Sequence, residues 1–114
     1  MTERSEYYHF YNSEKAALPF SSAEYEARLN GLRAVMHQHG VSATLLTSMQ
    51  AIAYYSGFLY CAFGRPYGLV VTADSSFTIS AGIDGGQPWR RCYGENITYT
   101  DWQRNNFWAA VASV

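Results

Sequence analysis

Cysteine is scarce in this chain: Cys61 and Cys92 are the two thiols among 114 residues. Two thiols exclude a disulfide framework and a multi-cysteine metal knuckle, and read most simply as buried groups in a reducing cytoplasm. Charge of one sign is also lacking. Eight Lys and Arg against nine Asp and Glu leave a net charge of −1 without basic clustering, so no electrostatic footprint for nucleic acid is present. No run approaches the ~20 apolar residues of a membrane helix. The start, Met1 to Glu6, has no apolar stretch of a secretory signal, so the Asn96-Ile97-Thr98 sequon reads as chance. Catalytic signatures are missing too, with no His-Glu-x-x-His, no Gly-x-Ser-x-Gly and no paired cysteines. His9 has no ligand partner at metal spacing, and His37 and His39, two apart, point to different faces of a helix. The expectation is a chain with no catalytic residue, no metal ligands and no cofactor of its own.

What the chain does have is aromatic and apolar bulk. Hydrophobic residues make up 48% and aromatics 17%, with ten tyrosines, which argues for one folded domain with surfaces that are half core and half interface. Residues 1–19 read as an arm without a stable element. In it, Tyr7-Tyr8-His9-Phe10-Tyr11 packs on its own domain or on a neighbour, with disorder of the arm as the competing reading. The first helix starts at Ser21, which forms a capping box with Glu24, while Phe20 and Tyr25 form a hydrophobic staple. Tyr25, Leu29, Leu32, Val35 and Met36 define its buried stripe, and Glu24, Glu26, Arg28 and Arg33 lie off it, facing water. Gly31 suggests a close helix approach, and Gly40 ends the helix.

Residues 41–47 read as a strand, followed by a short helix capped by Ser48 and stopped at Gly57. The apolar run Gly68 to Thr72, the turn residues Ala73 to Ser76 and the alternating Phe77 to Ala81 read as a hairpin. The glycine-rich stretch 82–86 lacks the spacing of a phosphate loop and reads as a turn before a short helix opened by Pro88. Arg90 and Arg91 there suit either ion pairs within the assembly or an anion. A strand over Ile97 to Thr100 and a helix capped by Asp101, with Phe107, Val111 and Val114 on its apolar face, complete the pattern.

One stretch fits neither helix nor strand: Phe58-Leu59-Tyr60-Cys61-Ala62-Phe63-Gly64-Arg65-Pro66-Tyr67. Gly64 permits a turn and Pro66 fixes the exit. A guanidinium beside aromatic rings suits the grip of a carboxylate with an apolar or cationic group stacked nearby. The same residues also fit a solvated arginine above rings that plug a core.

Tyr54 to Tyr67, together with Ser80 to Arg91 and Tyr99 to Asn106, resembles the amino-terminal domain of creatinase (creatine amidinohydrolase) in the "pita-bread" family shared with prolidase. The resemblance begins near Phe20 and runs over most of the chain. It implies an α/β fold of three layers, a mixed sheet flanked by helices with a ribonuclease H-like motif. The domain would span residues 20–114 and be incomplete at its carboxy-terminal end, leaving an unpaired sheet edge. It also implies a metal-independent enzyme that hydrolyses creatine to sarcosine and urea. The catalytic groups would sit in a separate carboxy-terminal domain, and this domain would reach over the active site of the second subunit of a homodimer. On that resemblance Phe63 packs on the methylated guanidinium region of creatine and Arg65 holds its carboxylate. Two alternatives stay open: another pita-bread hydrolase, prolidase-like or ectoine-hydrolase-like, and a standalone interaction module.

Overall fold

The computed structural model describes residues 6–9, 15, 17–58, 66–82, 87–100 and 106–114. Along the chain these form β1 (Tyr7–His9), α1 (Ser22–Gln38), β2 (Ala43–Leu46), α2 (Met49–Ser56), β3 (Gly68–Thr72), β4 (Ser76–Ala81), α3 (Gln87–Arg90), β5 (Glu95–Tyr99) and α4 (Asn106–Ala112). The strands make one five-stranded sheet in the order β1-β5-β4-β3-β2. Its pairings are antiparallel except for β4 with β5, which is parallel and joined across α3. The mixed sheet flanked by helices is the α/β class expected from the sequence.

Strand alternation assigns the two faces. Leu69 and Val71 of β3 pack with Leu29 and Met36 of α1 and Ile52 of α2. Val70, Ile79, Ile97 and Tyr99 turn the other way and pack with Phe107 and Ala110 of α4. Successive side chains point to opposite faces, so one sheet feeds two cores.

Local chemistry sets the helix ends as the sequence indicates. Ser21 Oγ accepts from the Glu24 amide at 3.2 Å, and the Phe20 and Tyr25 rings meet edge-on at 6.1 Å. At the other end of α1, Gly40 adopts φ +66. The Val41 amide donates to Met36 O at 2.8 Å and the Gly40 amide to His37 O at 3.2 Å, a Schellman closure. Helix α2 repeats the logic, with Ser48 Oγ accepting from Ala51 N at 3.1 Å and Gly57 in the left-handed region.

Several expectations need correction. Tyr7–His9 is a strand, because β5 offers it an antiparallel partner 88 or more residues away that no local pattern signals. Val35 is 51% exposed and does not belong to the α1 stripe, which buries Tyr25, Leu29 and Met36. Gly31 has open space where a Cβ would sit, so no helix among the described residues approaches it. Arg28 and Arg33 do not face water. The Arg28 guanidinium lies 4.4 Å from the Phe20 ring and 4.3 Å from the Tyr54 ring, and donates to Tyr54 O at 2.9 Å. Long cationic stems cover apolar surface in this way. The last helix is seen from Asn106 onward, and its proposed cap Asp101 lies outside the described residues.

Beneath α3, the α1–α2 face of the sheet turns polar. Thr78, Ser80, Asn96 and Thr98 are all fully buried there. Asn96 Nδ2 donates to Thr78 O at 3.1 Å, Thr78 Oγ1 at 2.8 Å and Ser80 Oγ at 3.0 Å, and Asn96 Oδ1 accepts from Thr98 Oγ1 at 2.8 Å. Thr78 stands opposite Asn96 and Ser80 opposite Thr98 in the parallel ladder. A slip of one residue would drive Ile97 into this polar layer, so the network fixes register. It also buries the Asn96 sequon beyond the reach of glycosylation in the folded chain.

Candidate functional site

Phe63 and Arg65, the two substrate-binding residues expected from the sequence, lie outside the described residues, as do Cys61 and Gly64. What the structure gives is the footing on either side of positions 59–65. On the entry side, Gly57 takes φ +79 and a Cβ there would stand 2.6 Å from Tyr25 Oη, so only glycine fits the turn. Ser56, fully buried, donates from Oγ to Ile52 O at 2.5 Å and accepts from the Phe58 amide at 3.3 Å. Its own carbonyl accepts from the Tyr93 amide at 2.6 Å. On the exit side, Tyr99 Oη donates to Pro66 O at 2.6 Å. The rings of Phe58 and Tyr67, each 6% exposed, close the two feet against each other at 5.7 Å in edge contact. Phe58 and Tyr67 are therefore core plugs, as one of the two sequence readings had them.

A second feature is a cleft of about 690 Å³ between the start of α1, the β3–β4 turn and the entry to β5. Leu18, Phe20 and Leu29 give it apolar wall, and Glu26, Arg33, Asp74, Tyr93, Glu95 and Lys15 give it charge and hydrogen bonding. Arg33 donates to Thr72 O at 2.8 Å, Ser75 O at 3.2 Å, Asn30 Oδ1 at 3.1 Å and Glu26 Oε1 at 2.9 Å. It thus staples α1 to the β3–β4 turn. Tyr93 Oη donates to Glu26 Oε2 at 2.5 Å. This hydrogen bond, with the Arg33 pair behind it, holds the Glu26 carboxyl below the ordinary carboxylate range. The same bond pushes the Tyr93 phenol up.

Lys15 crosses from the amino-terminal segment to the α3–β5 turn. Its Nζ donates to Cys92 O at 2.8 Å and to Gly94 O, and sits 3.9 Å over the Trp89 ring. Cys92 is fully buried, and burial pushes its thiol up, against the pull of Lys15. A thiol so placed is a packing group, not a nucleophile. Arg91, one of the two arginines weighed for anion binding, is exposed. Among the described residues no group of three His, Cys, Asp or Glu is arranged to hold a metal ion, and no helix is long and apolar enough to cross a membrane.

Sequence reasoning missed the Glu26–Arg33–Tyr93 constellation. Glu26 and Arg33 are seven apart and so share a helix face, which was a usable signal. Tyr93, 67 positions from Glu26, gave none.

Comparison with known proteins places these features in a family. The profile of the creatinase/prolidase N-terminal domain matches residues 28–110. The creatinase of Bacillus sp. (strain B-0618) is 50% identical over 101 residues, covering 89% of this chain and 25% of that protein. The chain thus spans a quarter of the length of that relative. Among solved structures, the N-terminal domain of an X-Pro dipeptidase from Streptococcus pyogenes superposes with a TM-score of 0.67 at 19% identity, covering 77% of this chain and 66% of that one. The N-terminal domain of an Xaa-Pro dipeptidase from Lactobacillus brevis gives a TM-score of 0.64 at 25% identity, covering 75% and 64%. The fold, the profile match across both cores and the identity to a creatinase agree: this chain belongs to the creatinase/prolidase N-terminal domain family.

Proposed function

We propose that this chain is the substrate-capping domain of a cytoplasmic, metal-independent creatine amidinohydrolase, which converts creatine and water to sarcosine and urea. The observation that carries this reading is the 50% identity to a creatinase over 101 residues, against 19% and 25% to the two dipeptidase domains. In it, Arg65 holds the creatine carboxylate through a charge-assisted pair and Phe63 lies against the methylated guanidinium. Bond cleavage belongs to residues of a carboxy-terminal catalytic domain, with the capping domain reaching across to the second subunit of a homodimer. Supporting it is the anchoring on either side of positions 59–65, by hydrogen bonds at Ser56 and Pro66 and by burial of Phe58 and Tyr67, since a ligand-gripping arginine works best from a fixed base.

The test is steady-state kinetics of the enzyme carrying this domain, with Arg65→Ala and Arg65→Lys. Loss of one partner from a desolvated pair costs about 3–5 kcal/mol, so kcat/KM for creatine falls roughly 10²- to 5 × 10³-fold for Arg65→Ala. Lysine restores part of the loss, because charge returns without the planar fork. The isolated 114-residue chain releases no urea. Wild-type kinetics in Arg65→Ala would end the assignment. The dipeptidase domains among the structural neighbours favour one competing reading, and hydrolysis of an Xaa-Pro dipeptide without hydrolysis of creatine would establish it.

A further inference from the structure

We infer that Lys15 is a positioning residue for the proposed substrate site: it holds the entry foot at Ser56 through the peptide unit that joins Cys92 to Tyr93. Its effect on catalysis rests on the reading of positions 59–65 given above, whereas the geometry involves described residues alone.

The coupling runs through one rigid plane. Cys92 O and the Tyr93 N–H belong to the same trans peptide unit, so they point in opposite directions. Lys15 Nζ donates to Cys92 O at 2.8 Å, and the Tyr93 amide donates to Ser56 O at 2.6 Å. The plane is clamped at both ends, by an ammonium on one side and by the entry foot on the other. A cation on the carbonyl also polarises the unit, which makes its N–H the stronger donor. Lys15 therefore acts on Ser56 without touching it.

The surroundings fit that role. Lys15 Nζ takes a second carbonyl, Gly94 O, and lies 3.9 Å over the Trp89 ring. Two carbonyls flanking Tyr93 thus converge on one ammonium, which sets the turn between α3 and β5. Gly94 lets that turn lie close to β4, since it adopts φ +100 and a Cβ there would collide with Ser76. Beyond the plane, Ser56 Oγ accepts from the amide of Phe58, the residue before position 59, at 3.3 Å. The Tyr93 side chain is held separately, by its ring stacked on Tyr25 at 5.7 Å and its hydroxyl on Glu26. Loss of Lys15 therefore frees the peptide plane without releasing the side chain. Because Lys15 itself is exposed, the fold survives the change.

Two variants test this. Lys15→Met keeps an apolar stem and removes the donor, whereas Lys15→Arg returns charge and donors. Amide hydrogen exchange in the isotope-labelled 114-residue chain is the first readout. In Lys15→Met the Tyr93 and Phe58 amides exchange about tenfold faster while the α1 amides around Leu29 keep their rates, and Lys15→Arg restores most of the protection. Steady-state kinetics of the enzyme carrying this domain is the second. Lys15→Met raises KM for creatine about threefold to tenfold with kcat within about twofold, and Lys15→Arg recovers most of the loss. Unchanged exchange at Tyr93, or equal acceleration throughout α1, would overturn the clamp. Faster Tyr93 exchange with an unchanged KM would overturn the positioning role. An enzyme that hydrolyses an Xaa-Pro dipeptide and not creatine ends the creatine reading alone, and KM for that dipeptide in the same variants then decides the role of Lys15.

Discussion

Replacing Asn96 by alanine tests the account of the sheet most severely. The side chain is fully buried and its amide hydrogens serve three acceptors, so at least one hydrogen is shared. Alanine strands the Thr98 hydroxyl, which loses Asn96 Oδ1, and leaves Ser80 Oγ and Thr78 without the amide donor. Leaving a buried polar group unsatisfied costs about 1–3 kcal/mol. Two such groups, before relaxation, put the loss at about 3–5 kcal/mol. That is a large share of the 5–15 kcal/mol that holds a domain together. At this chain length each kcal/mol lowers Tm by roughly 3–6 °C, so a fall of about 10–30 °C follows.

Urea denaturation followed by far-UV circular dichroism measures the loss, and a cycle with Thr98→Val apportions it. Thr98→Val alone removes one donor at nearly constant volume and costs about 1–2 kcal/mol. In the double variant that donor is already gone, so the two losses sum to less than their separate values. Asn96→Asp keeps the shape but points an ionised acceptor at three acceptors, and destabilises at least as much at neutral pH. A loss under about 1 kcal/mol for Asn96→Ala, or strict additivity in the cycle, would refute the network as the lock on the β4–β5 register.

Two further outcomes come from single positions. Gly31→Ala stabilises α1 by about 1 kcal/mol, because the site is open and alanine is the better helix former. Gly57→Ala destabilises by more than that, from the positive φ and the clash with Tyr25, and both are read from urea midpoints. Glu26 makes stability depend on acid: its folded pKa lies below its unfolded one, so its contribution is present above the ordinary value of 4.5 and is lost as pH falls through the folded pKa. Glu26→Gln therefore flattens the stability profile on the acid side. An unchanged acid slope in that variant means another carboxylate carries it.

The parts of the fold legible in the sequence are those decided within a few residues. The Ser21 and Ser48 caps, the Phe20–Tyr25 staple and the glycine closures at Gly40 and Gly57 each depend on groups within one helical turn. The hairpin from Gly68 to Ala81 belongs with them. Elements decided by distant partners were not legible. Tyr7–His9 becomes a strand only because β5 is beside it. Arg28 and Arg33 turn from water because rings and carbonyls of α2 and the β3–β4 turn lie within reach. The alternation Phe77 to Ala81 correctly gave a strand, but nothing in it told where its polar members Thr78 and Ser80 would lie. They are dry, covered where α3 crosses from β4 to β5, and satisfied by an asparagine sixteen to eighteen residues on. The likeness to creatinase drew attention to Phe63 and Arg65, while the cleft beside the start of α1 showed in the sequence only as the Glu26–Arg33 spacing, since its other walls come from separated segments.

The buried polar ladder and the proposed substrate loop are joined through one strand. Tyr99 stands in register with Ala81, one pair beyond Ser80 and Thr98. Its ring packs edge-on against Phe107 at 5.6 Å, and its hydroxyl holds Pro66, the residue after Arg65. At the opening of the same segment, the Tyr93 amide holds Ser56, the base of the entry side. Residues 93–99 therefore tie down both feet of positions 59–65. A shift of β5 by one residue would carry Tyr99 to the opposite face and free Pro66, whatever residues stood at positions 59–65. The Asn96 network is in this sense part of the footing of positions 59–65.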